Sequence, residues 1–282
     1  MSKVSLDLSS KVPDEHVDVI RRVVRTATHL GLTKLFIVGA EARDLILRYA
    51  YDVPVSRATN DIDFGIVVET WDEFARLRDA LVSGEGFQLH PHQQQRLLHE
   101  AGAIIDLVPF GNLEQSRGLI VWPPDFAIEM STVGFREAYA DSLDVRLDDD
   151  LVVRVVSLAG LALLKLIAWA ERHFERDAQD FGLIMRCYLD AGNQGRLYDA
   201  DGDCVDLLNE EFDYDRASAQ ILGRDISRIL TEETRLVIER VLFEDETQSE
   251  VLAAVMVRNI ANYRGDSQMA LAMLEALREE FR

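Results

Sequence analysis

The 282-residue chain carries 30 basic against 50 acidic side chains, a formal charge of −20, with 48% hydrophobic residues. That apolar content suffices for the core of one large or two modest domains, while the charge opposes long-range attraction to any polyanion. Two cysteines, Cys187 and Cys204, have neither the density of a disulfide framework nor the spacing of a zinc site.

The opening MSKVSLDLSSKVPDEHVDVI lacks an apolar segment behind a basic start, and no later apolar run has the length of a bilayer span. The longest, Leu158 to Ala170, is interrupted by Lys165. The expectation is a soluble, unexported, cytoplasmic protein with no membrane partner.

Residues 14–30 repeat apolar positions at helical spacing and stop at Gly31. KLFIVG, ending at Gly39, suits a buried strand leading into the helical stretch AEARDLILRYAYD. DIDFGIVV, from Asp61 to Val68, reads as a second strand and WDEFARLRDALVS as the helix behind it. FQLHPHQQQRLLHEAGAIIDLVPFG reads as one or two strands finishing in AIIDLVPF, and VWPPDF as a turn. DVRLDDDLVVRVV suggests a hairpin. From Ser157 the pattern is helical, with a break near His173 to Glu175 and further helices at 214–229, 231–242, 249–263 and 267–281. The alternation predicts an α/β (α+β) head over 1–156, a mixed sheet with helices on one side, followed by a helical domain over 157–282.

Asp61 and Asp63 stand two apart on a strand, so both carboxylates face one side while Ile62 and Phe64 face the core. Like charges this close raise each other's proton affinity unless a cation lies between them, and a hard divalent ion such as Mg²⁺ supplies one. Asp106 is the third candidate, the single acid in AIIDLVPF, where a buried unpaired carboxylate would be costly. On spacing alone, strand-end or capping acids remain the alternative.

The order Gly39-Ala40, Arg43-Asp44, Arg57-Ala58-Thr59-Asn60-Asp61-Ile62-Asp63-Phe64 and later Asp106 resembles the polymerase-β nucleotidyltransferase superfamily. Lys165 and Arg172, followed by Asp177 and Asp180, extend the likeness, and the chain is most similar to the AbiEii/AbiGii toxin family over roughly residues 35–185. The resemblance implies a Mg²⁺-dependent enzyme using two ions held by Asp61, Asp63 and Asp106. Gly39 and Ala40 would bring backbone N–H groups to the NTP phosphates. Lys165 would meet those phosphates, with Asp180 or Asp177 positioning it or the nucleotide. Arg57 and Thr59 would line the entrance, and Arg43 would contact the nucleotide or pair with a nearby acid. Ala40 departs from the serine or glycine of many relatives. The implied reaction moves an NMP from an NTP to a hydroxyl on RNA, such as a tRNA end, or on a protein, by a toxin paired with a separately encoded antitoxin. The rival readings are a small-molecule enzyme of the aminoglycoside-modifying kind and a non-catalytic nucleotide-binding module.

Gly39-Ala-Glu-Ala-Arg43-Asp44 also resembles the signature of the CCA-adding and poly(A) polymerase branch, which needs basic surface for RNA. Between Tyr198 and Glu250, 16 acids stand against 5 arginines, −11 of the total charge, which disfavours that branch. Asp199, Asp201, Asp203 and Glu210 have the acid spacing of a calcium loop, but its glycine position is Cys204, so an acidic turn is expected. His90, His92 and His99 are expected to be solvated loop residues, and Trp169 a core residue.

Overall fold

The computed structural model describes residues 5–55, 59, 61–115, 118–124, 127–198, 212–243, 246–258 and 266–281. Two compact units are present, Met1–Ala50 with Arg57–Ser157, and Tyr51–Ser56 with Leu158–Arg282.

The first unit begins with β1 (Leu6–Asp7), α1 (Asp14–His29) and β2 (Leu35–Val38). Asp14 and Glu15 in the first turn of α1 and His29 in its last complement the helix dipole, and Gly31 takes φ +79° just past its end. Val17, Val19, Ile20, Val23 and Ala27 are its buried apolar residues. A short α2 (Gly39–Asp44) runs into a π-helical turn, Leu45–Ala50. Then come β3 (Asp61–Val68), α3 (Trp71–Gly84), β4 (Phe87–Leu89), β5 (Arg96–His99) and β6 (Ile104–Gly111). Thr70 caps α3 by accepting the Glu73 N–H. A separate hairpin, β7 (Leu119–Trp122) with β8 (Ile128–Ser131), precedes α4 (Phe135–Ala140), β9 (Leu143–Asp148) and β10 (Leu151–Val155).

Eight of these strands form one mixed sheet in the order β1-β9-β10-β2-β3-β6-β5-β4. At its centre β3 lies parallel to β6 and antiparallel to β2. Phe36, Phe110, Phe135 and Tyr139 pack edge-on and tilted with ring centroids 5.4 to 6.2 Å apart, joining β2, β6 and α4. Trp122 seals a second aromatic group with Trp71 and Phe74 of α3.

The second unit is helical: α5 (Leu158–Arg172), α6 (Glu175–Cys187), α7 (Tyr214–Ile229), α8 (Glu232–Phe243), α9 (Glu246–Met256) and α10 (Ser267–Glu279). Leu158–Leu163, Leu166, Ile167 and Trp169 are buried, so most of α5 is enclosed, as its largely apolar sequence requires. His173, at φ 52°, makes the break before α6. Asp225 of α7 accepts bonds from the Tyr188 hydroxyl at 2.5 Å, Arg196 Nη2 at 2.9 Å and Arg228 Nη1 at 2.9 Å.

The mixed sheet and helical remainder have the expected α/β character. Between Phe87 and Gly111, however, three strands form where one or two were expected, because the Gln-rich QQQ is a turn that lets β5 fold back on β4, and a second turn at 100–102 folds β6 back on β5. VWPPDF is not only a turn: Trp122 ends a strand and is 1% exposed. His99 is no loop residue, since it closes β5 and is buried with its ring 4.8 Å from that of Phe87. Trp169 is core, at 5% exposed. Among the described residues no helix is long and apolar enough to cross a membrane.

His16 of α1 and the buried Glu41 of α2 are joined at 3.2 Å. The Glu41 hydrogen bond raises the imidazole's proton affinity above its usual range, against partial burial, which lowers it. The pair therefore adds stability that is complete below the unfolded imidazole pKa of about 6.5 and is lost as pH rises through the higher folded value. Urea denaturation across this range should show that loss, on the order of 1 kcal/mol or less, in the native protein and not in His16→Ala.

Candidate active site

One row of residues crosses the centre of the sheet: Val38 of β2 lies opposite Asp63 of β3, Asp63 opposite Asp106 of β6, and Asp106 opposite Arg96 of β5. Residues directly opposite in a sheet share a face, so Asp63, Asp106 and Arg96 project together, and Asp61 joins them by the period of two. Ile62 at 1% and Phe64 at 0% exposed anchor the other face in the core. The expected alternation along β3 is thus present.

Gly39 follows Val38 at the end of this row, with φ +70°. A Cβ there would overlap the Asp63 carboxylate, coming within 2.9 Å of its Cγ. Glycine is required twice over, by the left-handed backbone and by the closeness of the aspartate. Ala40 follows it as the second residue of α2. Thr59 precedes the row and braces it: its hydroxyl accepts the Asp61 N–H at 3.2 Å and lies 3.2 Å from the Asp61 carbonyl.

Arg96 is the residue that sequence reasoning missed. Its Nε donates to Asp106 Oδ1 at 2.8 Å, and its Nη2 donates to Asp106 Oδ2 at 2.6 Å and to Asp61 Oδ2 at 3.2 Å. These carboxylates hold its guanidinium proton still more firmly than usual, the Asp106 hydrogen bonds first, against desolvation. Strand alternation in RLLH was the available signal, but it does not say which partner lies opposite.

Arg43 is 1% exposed, with Nε on Asp44 Oδ1 at 2.8 Å. It is held in the interior by its neighbour. Lys165 on α5 meets both expected acids of α6, Asp177 Oδ1 at 3.1 Å and Asp180 Oδ2 at 2.7 Å, and Arg172 meets Asp177 Oδ2 at 3.1 Å. Asp177 and Asp180 are only 3% and 4% exposed. The predicted residues therefore come together as two groups, the aspartate row in the sheet unit and the lysine network in the helical unit. Arg57 and the acidic stretch of Asp199, Asp201, Asp203 and Glu210 lie outside the described residues.

Among the described residues no three His, Cys, Asp or Glu side chains converge as a ready metal cluster. The cation that bridges Asp61 and Asp106 is Arg96. A guanidinium drawn to two carboxylates is a stand-in for positive charge, and the donors around it are hard oxygens, so the set fits Mg²⁺ in kind.

The family model for the nucleotidyl transferase AbiEii toxin of type IV toxin–antitoxin systems matches residues 45–277. The chain belongs to the AbiEii nucleotidyltransferase family. The AbiEii match reaches through almost all of the helical unit, well beyond the stretch of roughly 35–185 on which the sequence resemblance rested. Among solved structures, the antibiotic-resistance factor ANT(2'')-Ia is similar at 16% identity over 66% of this chain and 95% of its own, with a TM-score of 0.39. A putative nucleotidyltransferase from H. pylori shares 12% identity over 80% and 94%, with a TM-score of 0.26. The Bradyrhizobium diazoefficiens CD-NTase CdnG, solved with GTP, shares 14% identity over 96% and 95%, with a TM-score of 0.28. Overlaps this loose carry no argument about chemistry. No curated protein matches the chain.

Gly39→Ala should destabilise the protein by about 1–3 kcal/mol in denaturant titrations, the range for a strained backbone position. Lys165→Met should cost about 3–5 kcal/mol by taking the ammonium away from the buried Asp177 and Asp180, with Arg172 still on Asp177. A loss below about 1 kcal/mol would mean that water already reaches these carboxylates.

Proposed function

We propose that this enzyme transfers an NMP from an NTP to a hydroxyl on RNA, such as a tRNA end, or on a protein, with Mg²⁺, as the growth-inhibiting toxin of a pair with a separately encoded antitoxin. It would act in the cytoplasm, where NTPs are plentiful. The observation that carries the reading is the in-register pairing of Asp63 with Asp106, with Asp61 at the same strand end.

Asp61 and Asp63 would hold two Mg²⁺ ions and Asp106 would complete the set; when bound, these ions supply Lewis-acid stabilisation of charge on the phosphate oxygens. The chain's own groups do the rest. Backbone N–H groups at Gly39 and Ala40, where no side chain on residue 39 intervenes, would approach the triphosphate. A carboxylate oxygen of Asp106 would orient the acceptor hydroxyl and take its proton. The acceptor oxygen then forms its bond to the α-phosphorus as the bond to the bridging oxygen breaks, and pyrophosphate leaves with that electron pair. Thr59 would keep Asp61 in place through the backbone. For Lys165 the proposed role is a point charge for the triphosphate, oriented by Asp180 and Asp177.

A second reading, an acceptor that is a small cation such as an aminoglycoside, draws support from the formal charge of −20.

Purified protein incubated with Mg²⁺ and each NTP labelled at the α-phosphate, in cell extract or with an aminoglycoside, separates these readings. Label should pass to RNA or protein and fall by about 10²-fold or more in Asp63→Asn, the size of loss typical when one charge-stabilising group is removed. Label on the aminoglycoside alone would select the second reading. NTP binding without transfer to any acceptor would instead support a non-catalytic nucleotide-binding module.

A further inference from the structure

Arg96 belongs to the aspartate row by register but to none of the roles assigned so far. Its fork occupies both oxygens of Asp106 and one of Asp61. Bidentate guanidinium–carboxylate pairs are among the stronger hydrogen-bonded arrangements, and Asp106 is nearly enclosed, with its side chain 14% exposed. A divalent ion approaching these oxygens meets donors already in place and a fixed positive charge that repels it. The arginine side chain itself is 25% exposed, so its head has water to move into while its backbone stays pinned opposite Asp106.

We propose that Arg96 is a tethered counter-ion of the aspartate set: it neutralises Asp61 and Asp106 in the metal-free protein and competes with divalent ions for them. Metal affinity is then set by how readily the guanidinium is displaced. The inference rests on the reading of Asp61, Asp63 and Asp106 as metal ligands. It explains why the structure gathers these acids around an arginine instead of leaving their mutual repulsion uncompensated.

The test is Mn²⁺ binding, followed by electron paramagnetic resonance, to the native full-length protein, Arg96→Gln, Arg96→Lys and Asp63→Asn, with folding checked by circular dichroism. Arg96→Gln should bind Mn²⁺ roughly 10- to 100-fold more tightly than the native protein, the equivalent of losing charge-assisted hydrogen bonds. In EDTA it should melt lower than the native protein and gain more from added Mg²⁺. Unchanged or weaker Mn²⁺ binding by folded Arg96→Gln, with native binding lost in Asp63→Asn, would overturn the role of Arg96 alone. Equally weak binding by all four proteins would instead sink the metal reading beneath it.

If Arg96→Gln does not fold, the native protein decides. In ¹⁵N-arginine-labelled protein, the Arg96 Nε–H signal, identified by its absence from Arg96→Lys, should be shielded from exchange in EDTA and lose that shielding as Mg²⁺ saturates the site. A signal unmoved at saturation would overturn the proposal.

Discussion

Parallel pairing of β3 with β6 forces Asp63 against Asp106, and the structure around them answers the repulsion this creates. Opposite positions lie about 5 Å apart, and two unit charges at that distance repel by about 3 kcal/mol where the effective dielectric is near 20. The register has no local freedom to relieve this, because sliding β3 by one residue would bring Ile62 and Phe64 out of the core and turn the aspartates into it. The apolar face thus holds the charged face in place. Arg96 opposite Asp106 and the bare backbone of Gly39 beside Asp63 are both consequences of that arrangement.

The helical unit meets the same problem in another way. Asp177 and Asp180 lie one turn apart on α6 and are buried, and Lys165 with Arg172 brings two cations to them. Breaking such a network is costly, whereas an apolar replacement of all its members is often tolerated. A buried ionic cluster is therefore weak as a source of stability; what it does is hold Lys165 in one place, as the role proposed for that lysine would require.

How much could be read from the chain depended on whether the information was local. Asp61 and Asp63 were legible because the strand period of two separates their face from that of Ile62 and Phe64. Asp106 stood out as one acid in an apolar run, whereas the link from Lys165 to Asp180 or Asp177 came from the family resemblance, helical spacing alone placing Lys165 with Arg172 and Asp177 with Asp180. Arg96 was not legible, because its meaning lies in being opposite Asp106, and register across a turn is set by packing. His99 misled for the same reason: beside His90 and His92 it looks like loop sequence, yet as the last residue of β5 it packs on Phe87. Arg43 carried a family-like motif, but its guanidinium is bound to Asp44 in the interior.

Asp61, Asp63 and Asp106 are proposed to act as one cation-binding unit. The most direct measurement is a Mg²⁺ titration of protein labelled with ¹³C at the aspartate carboxyls, with the three resonances assigned by single Asp→Asn substitutions. These three signals should shift together over one range of Mg²⁺ concentration, ahead of exposed carboxylates elsewhere. Three signals that stay fixed, or that move only with the exposed carboxylates, would contradict that proposal.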